Sequence, residues 1–121
     1  MKKKTEEKKK FDLEEAFVLW LNKSKESKKE YLTGKDLNDS KLIGFFNENK
    51  SNEKQPDIEL YQINKDGKKG DKVVSLWENE SKEGKIYLTG LTNENEKLVG
   101  FYGDKKEEKR PYIKGYFKEE N

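Results

Sequence analysis

The sequence Tyr31-Leu-Thr-Gly34 occurs a second time as Tyr87-Leu-Thr-Gly90, and Lys41-Leu-Ile-Gly-Phe-Phe46 occurs again as Lys97-Leu-Val-Gly-Phe-Tyr102. Both motifs return after the same interval of 56 residues and in the same order. Further paired residues flank them: Trp20 with Trp77, and Pro56, Ile58 and Tyr61 with Pro111, Ile113 and Tyr116. Four matching blocks in one order are improbable by chance, so the sequence predicts an internal duplication.

The two copies should share one secondary structure, which decides an ambiguity near the N-terminus. Taken alone, Asp12–Leu21 resembles a helix with Asp12 as its N-cap. Its counterpart Val73-Val-Ser-Leu-Trp77 is short and β-branched, which is typical of a strand. We therefore predict a strand in both copies, with a helical first turn at Leu13–Ala16 as the alternative.

Each copy is then predicted to form four short strands joined by polar turns. The predicted strands are Ala16–Lys23, Glu30–Thr33, Lys41–Asn47 and Ile58–Asn64 in the first copy, and Lys72–Glu78, Lys85–Thr89, Lys97–Tyr102 and Tyr112–Lys118 in the second. A unit of about 50 residues buries too little surface to be stable alone. The predicted fold class is all-β: two four-stranded meander repeats packed as a pseudo-twofold sandwich or flattened barrel.

The composition indicates a small folded domain with few apolar side chains. Only 30% of the residues are hydrophobic and 43% are charged, which overlaps the composition of disordered chains. The regular placement of 2 Trp, 6 Tyr and 6 Phe favours a folded chain with a small aromatic core. We predict a disordered basic tail at residues 1–10, β-repeat 1 at 11–64, a linker at 65–72 and β-repeat 2 at 73–121, with both repeats in one compact unit.

Two missing residue types remove most enzyme chemistry. The chain has neither Cys nor His, which excludes disulfides, thiolate metal sites and the usual proton shuttle at neutral pH. We predict that the protein is not an enzyme and has no catalytic residue, metal or cofactor. The apolar run Ala16–Leu21 is too short for an export or membrane segment, so we predict a cytoplasmic protein without membrane contact.

The order of the paired motifs resembles that of a known family. The second copy has Trp77, Tyr87-Leu-Thr-Gly90, Leu98-Val-Gly-Phe101, a Lys-rich turn, Pro111 and Tyr116. This order resembles the small plasmid- and phage-borne proteins collected as domain of unknown function 736. Each half of Ala16–Lys118 resembles one such unit. The resemblance implies a mobile-element origin and a β fold, and it supplies no catalytic residue.

The duplication separates residues by expected role. Residues kept in both copies are expected to be structural: Trp20/Trp77, Tyr31/Tyr87, Leu32/Leu88, Phe45/Phe101, Ile58/Ile113 and Tyr61/Tyr116. Residues that differ between the copies are freer to carry function. The clearest of these are Tyr102 (Phe46 in the first copy), Tyr112 (Asp57), Phe117 (Gln62) and Leu21 (Glu78 in the second copy).

The favoured function is binding to a protein partner. The stretch Tyr102–Tyr112 holds the only Arg of the chain, Arg110, between two Tyr, and these residue types are enriched in binding hot spots. An ordinary solvated hairpin loop is the alternative for this stretch. We predict an accessory or inhibitor protein of a phage or plasmid that acts on a host or rival protein, for example against host defence. The predicted binding residues are Tyr102, Lys105, Lys106, Lys109, Arg110, Tyr112 and Phe117.

The alternative function is binding of single-stranded nucleic acid, with bases stacked on aromatic rings and lysines along the phosphates. The aromatic residues and the basic tail favour it. The slight net negative charge of both repeats counts against it, because affinity for phosphates is mostly electrostatic. A homodimer through exposed sheet edges is a further prediction.

Overall fold

The computed structural model describes residues 14–48, 51–52, 54–103 and 110–118. Eight antiparallel strands follow one another along this part of the chain: β1 (Glu15–Lys23), β2 (Glu30–Asp36), β3 (Lys41–Phe46), β4 (Ile58–Ile63), β5 (Lys69–Glu80), β6 (Ile86–Thr92), β7 (Lys97–Tyr102) and β8 (Ile113–Phe117). Each strand pairs with its neighbours in sequence, and β8 pairs with β1 to close a barrel. The all-β prediction is confirmed. The predicted tail at residues 1–10 lies outside the described residues.

Every predicted strand corresponds to an observed one, and the main difference lies at the predicted linker, residues 65–72. Strand β5 already begins at Lys69. The preceding residues form a tight turn, in which the Asn64 N–H donates to the Lys68 carbonyl at 2.8 Å and Gly67 has a φ of 83°. That φ favours glycine. Residues 64–68 therefore form a hairpin turn between β4 and β5, and the rest of the predicted linker belongs to β5.

The interior of the barrel is aliphatic. Its fully buried side chains are Leu19, Leu32, Leu42, Ile58, Leu60, Leu76, Leu88, Leu98 and Ile113. This list includes the pairs Leu32/Leu88 and Ile58/Ile113, which were predicted to be structural. Phe17 is the aromatic residue of the described core. Apart from Phe17, the prediction of an aromatic core is wrong. The interior of an eight-stranded barrel is just wide enough for side chains to fill it, and in this barrel aliphatic side chains do so.

Glycines face large side chains across this interior. A Cβ atom on Gly115 would overlap the ring of Phe17, which lies directly opposite on β1. A Cβ atom on Gly44 would approach Leu60 Cδ2 to 2.5 Å. At these two positions small and large residues alternate between neighbouring strands and pack closely. The Leu-x-Gly spacing of the repeated motif provides this alternation.

Barrel closure limits the strand edges that a homodimer could use. Each of the eight strands is hydrogen-bonded to two neighbours, but β8 pairs with β1 only as far as Leu19 and β4 pairs with β5 only as far as Leu76. A homodimer through sheet edges stays a prediction. No described segment forms a helix with the length and hydropathy of a membrane span.

Candidate binding surface

The aromatic residues that recur in both halves lie on the outside of the barrel. Tyr31 is directly opposite Phe45, and Tyr87 is directly opposite Phe101, on the face that points away from the buried leucines. Phe45 is 39% exposed and Phe101 is 47% exposed. These pairs were predicted to be structural, and the structure places Trp20/Trp77, Tyr31/Tyr87, Phe45/Phe101 and Tyr61/Tyr116 on the outward faces of their strands. Strand alternation explains it, because each of them neighbours a residue that points inward.

The first cluster, which we name the first wall, consists of Tyr31, Phe45 and Tyr61 on β2–β4. The rings of Phe45 and Tyr61 lie 6.0 Å apart at 59°. The ammonium of Lys69 lies over both, 4.4 Å from the Tyr61 ring centre and 5.6 Å from that of Phe45. The Tyr61 hydroxyl donates to Glu59 at 3.1 Å. Partial burial, and then this carboxylate, raise the pKa of Tyr61.

The second cluster, the second wall, consists of Tyr87, Phe101 and Tyr116 on β6–β8. The rings of Phe101 and Tyr116 lie 6.2 Å apart at 54°, which repeats the tilted arrangement of the first wall. Lys114 on β8 lies directly opposite Phe101 and is exposed. Each wall thus presents three aromatic side chains, with a lysine next to them, on the outside of a closed sheet.

The charged residues of the barrel are not evenly distributed. Those that face outward from the strands are six lysines and two glutamates: Lys35, Lys41, Lys69, Lys72, Lys97, Lys114, Glu15 and Glu59. Many acidic residues lie instead at the two ends of the barrel, where they line depressions: Glu30, Glu48 and Glu78 at one end, together with Lys23, Lys28 and Lys29, and Asp36, Asp71, Glu94 and Glu96 at the other. The side of the barrel is therefore basic although the repeats are slightly acidic in sum.

The two tryptophans also point outward, and the ring of Trp77 is held by a hydrogen bond. The Trp77 indole N–H donates to the Lys54 carbonyl at 2.9 Å, which ties β5 to the loop between β3 and β4. Beside Trp77, the Asn79 amide donates to Thr89 at 2.8 Å. The first half repeats this contact, since Asn22 donates to Thr33 at 2.6 Å. The indole contact of Trp77 indicates that this ring stabilises the barrel, and the walls are defined without the two tryptophans.

The predicted binding residues do not form one surface. Tyr102 and Tyr112 lie together at one end of the barrel, and Arg110, two residues before Tyr112 in the sequence, is exposed. Phe117 lies at the opposite end, because β8 runs the length of the barrel from Ile113 to Phe117. Lys105, Lys106 and Lys109 lie outside the described residues. The structure therefore brings two of the four described residues into contact.

Tyr102 and Tyr112 close their end of the barrel. Their ring centres lie 5.2 Å apart, and both side chains pack against the buried core. The Tyr102 hydroxyl donates to Glu78 at 2.6 Å, and the Glu78 N–H donates to the Asp57 carboxylate at 2.8 Å. Burial, followed by the contact with Glu78, raises the pKa of Tyr102. We name this end, with its depression of about 720 Å³, the Tyr102 mouth.

The hydrogen bond between Tyr102 and Glu78 has a predicted effect on stability. Tyr102→Phe should lower the free energy of unfolding by about 1 kcal/mol at pH 7. A hydrogen bond to a charged group typically contributes about 1.5–3 kcal/mol, and this one contributes less because it is exposed to solvent. The raised pKa of Tyr102 means that its contribution is complete below pH 10.0, its ordinary value, and is lost as the pH rises further. Urea unfolding measured at pH 7 and again above pH 10 should show that the difference in unfolding free energy between wild type and Tyr102→Phe is smaller at the higher pH. An unchanged gap would contradict the assignment.

The described residues offer no group of three or more His, Cys, Asp and Glu side chains that could hold a metal ion. The chain matches no family model, no curated protein and no solved structure. The resemblance to domain of unknown function 736 therefore stays a prediction from the sequence.

Proposed function

We propose that this chain is a non-catalytic binding protein that binds single-stranded nucleic acid on the outside of its barrel. The observation that carries the proposal is the position of the recurring aromatic rings, which face outward beside lysines in both halves. Aromatic rings provide stacking partners for bases, and lysines interact with the phosphates between them. The interior is filled by aliphatic side chains, so the outer surface is where a ligand of this kind would bind.

The distribution of charge supports this choice of ligand. The net acidity of the repeats was the argument against nucleic acid in the sequence. Lysines dominate the charged residues between the aromatic clusters, although Glu30 and Glu48 share a depression with Tyr31 and Phe45 of the first wall. A single strand fits better than a duplex, because bases have to be unstacked before they can lie on protein rings.

A protein partner was the first hypothesis from the sequence, and it stays a prediction. Tyr102 and Tyr112, on which it depended most, pack against the core at the Tyr102 mouth. Their contribution to a protein contact would therefore come from the rim of that depression. The origin in a phage or plasmid likewise stays a prediction.

We also propose that the barrel is built from two copies of one four-stranded unit. The pairing registers support this. Trp20 lies opposite Thr33 on β1–β2 as Trp77 lies opposite Thr89 on β5–β6. At the two junctions between the halves, Ile58 lies opposite Leu76 and Ile113 lies opposite Leu19. Each half supplies four strands, and the barrel closes only when both are present.

The proposed function is tested by titrating the full-length protein into a labelled single-stranded oligonucleotide of about ten nucleotides, within the range of site sizes known for single-strand binders. We expect binding that weakens about ten-fold between about 50 and about 200 mM salt, as a few phosphate contacts require. The same sequence as a duplex should compete poorly.

The basic tail is controlled separately. A full-length variant with Ser in place of the lysines of residues 1–10 should keep most of the affinity, because the proposed contacts lie on the barrel. Loss of all binding in that variant, or no binding by wild type at low salt, would contradict the proposal. The second result would leave the protein-partner prediction as the one to pursue.

A further inference from the structure

A depression of about 960 Å³ lies against the first wall. Tyr31 and Phe45 of that wall line it, together with the loop that joins β1 to β2. Its volume is in the range of sites that hold small organic ligands. A base stacked on either ring would therefore have the polar groups of this depression beside its edge.

Carboxylates line this depression close to the two rings. Glu30 is the first residue of β2 and directly precedes Tyr31, and Glu48 follows Phe45 by three residues at the end of β3. A carboxylate repels phosphate, but it accepts hydrogen bonds from the N–H groups of a base. Among the DNA bases, guanine has two adjacent donors on its Watson–Crick edge, N1–H and the exocyclic amino group, which match the two oxygens of one carboxylate.

The second wall has an aliphatic residue at the position that matches Glu30. This residue is Ile86, which is 48% exposed. Directly opposite Ile86 lies Glu80, whose Oε2 is at the turn between β5 and β6, 3.7 Å from where a Cβ atom on Gly84 would lie. The residue next to the wall tyrosine thus differs in chemistry between the halves, as is expected of a residue that carries function.

The depression also contains lysines, which complete the set of groups that a guanine needs. Lys23, Lys25 and Lys29 line it, and their ammonium groups offset the carboxylates for the phosphates of a strand. An ammonium group can also donate to guanine O6, which lies next to N1–H. Glu30 already has a polar partner, but a carboxylate has about four acceptor positions. Accepting from a base therefore does not require that this partner be lost.

We infer that the first wall selects a guanine within the single strand, with the base stacked on Tyr31 or Phe45 and its N1–H and amino group donating to Glu30. The inference rests on the proposed function and names the base that this part of the surface recognises. In it, the first wall supplies selectivity. The second wall stacks bases without regard to their identity, because every base has a ring face.

The test compares three labelled oligonucleotides of about ten nucleotides on the full-length protein. One is oligo-dT, one has a single central guanine among the thymines, and one has deoxyinosine at that position. Wild type should bind the guanine-containing strand about five-fold or more tightly than oligo-dT, the lower end of the discrimination that a good bidentate contact to a base provides. Deoxyinosine, whose base lacks the amino group, should lose most of this preference.

Substitutions then locate the preference. Glu30→Gln, and Glu30→Ile with the residue of the second half, should abolish the guanine preference and leave the affinity for oligo-dT nearly unchanged. Glu59→Gln is the matched control, because it removes a carboxylate directly opposite Phe45 but outside the residues that line the depression, and it should keep the preference. Phe45→Ala should remove the preference, whereas Phe101→Ala should lower affinity and keep it.

Thermal unfolding checks that each variant is folded. A wild type that binds oligo-dT and the guanine-containing strand equally, or a folded Glu30→Gln variant that keeps the guanine preference, would overturn the inference and leave the proposed function standing. Absence of binding to all three oligonucleotides by wild type would overturn both.

Discussion

Gly115→Leu should destabilise the barrel by about 3 kcal/mol, and a second substitution, Phe17→Val, should restore most of that loss. Gly115 on β8 faces the ring of Phe17 on β1 inside the barrel, and even a Cβ atom at this position would overlap the ring. A leucine there has to push out Phe17 or separate the strands. Overpacking of a well-filled core typically costs about 1–3 kcal/mol, and this site is at the high end because the obstacle is a rigid ring.

The rescue follows from the other junction of the barrel. At the corresponding position between β4 and β5, Leu60 lies opposite Val74, and both are buried. At the β1–β8 junction the large ring of Phe17 thus faces Gly115, whereas at the β4–β5 junction two side chains of medium size face each other. If the halves are copies, Phe17→Val with Gly115→Leu gives the second junction the composition of the first. We expect the double variant to lie within about 1.5 kcal/mol of wild type.

Urea unfolding of the four proteins forms a double-mutant cycle for this pair. Phe17→Val alone should cost about 2 kcal/mol because it leaves a cavity. The favourable coupling between the two substitutions should therefore be about 3.5 kcal/mol or more. Lys114→Leu is the matched control, since it adds the same side chain at the neighbouring outward position and should change stability by less than about 0.5 kcal/mol. Additive costs in the cycle would contradict the proposed equivalence of the junctions.

The strands could be predicted from the sequence because duplication gives two examples of each pattern. The bounds of β7 agree with the prediction, Lys97–Tyr102. The direction of the side chains was harder to predict, because both faces of several strands are apolar. In Tyr31-Leu-Thr-Gly34, either the aromatic or the leucine could point inward by hydrophobicity alone. Size favoured the aromatic, and the structure places the leucine inside.

A signal for the correct side was present in the repeated motif. Glycine lies two residues after leucine in Leu32-x-Gly34, and therefore on the same face of the strand. A glycine is of most use where backbones and large side chains approach closely, which in a small barrel is the interior. At Gly34, a Cβ atom would overlap the backbone of Val18 and Leu19 on β1. The glycines identify the inward face, and hence the outward position of the aromatics.

Closure of the barrel could not be predicted in the same way. A sandwich and a barrel use the same alternating strands, and the difference lies in the register and bulges at the two junctions. Register shifts occur on β4–β5 and on β1–β8, and such irregularities increase the local bend and twist of a sheet. The separation of Tyr102 and Phe117, by contrast, could have been foreseen. Tyr102 is the last residue of β7 and Phe117 is the last residue of β8, and the last residues of two neighbouring antiparallel strands lie at opposite ends of the sheet.

Phe101 and Tyr102 provide the second large predicted effect, since these neighbours on β7 point in opposite directions. Phe101→Ala should weaken single-strand binding to the second wall by about five-fold or more, because stacking on one ring is worth about 1–3 kcal/mol per base. It should change the free energy of unfolding by less than about 1 kcal/mol, since the ring is 47% exposed. Tyr102→Ala should do the reverse: it removes a ring that packs on the core and on Tyr112, and we expect a loss of about 3 kcal/mol in stability.

The most direct test of the account measures both quantities on both variants: oligonucleotide affinity at fixed low salt, and the free energy of unfolding in urea. We predict opposite effects of the two substitutions. Phe101→Ala should bind weakly and remain stable. Tyr102→Ala should be destabilised, but at a temperature where it is folded its affinity should lie within about three-fold of that of wild type. A Phe101→Ala variant that unfolds easily, or a folded Tyr102→Ala variant that no longer binds, would contradict the assignment of the outer walls to binding and of the Tyr102 mouth to stability.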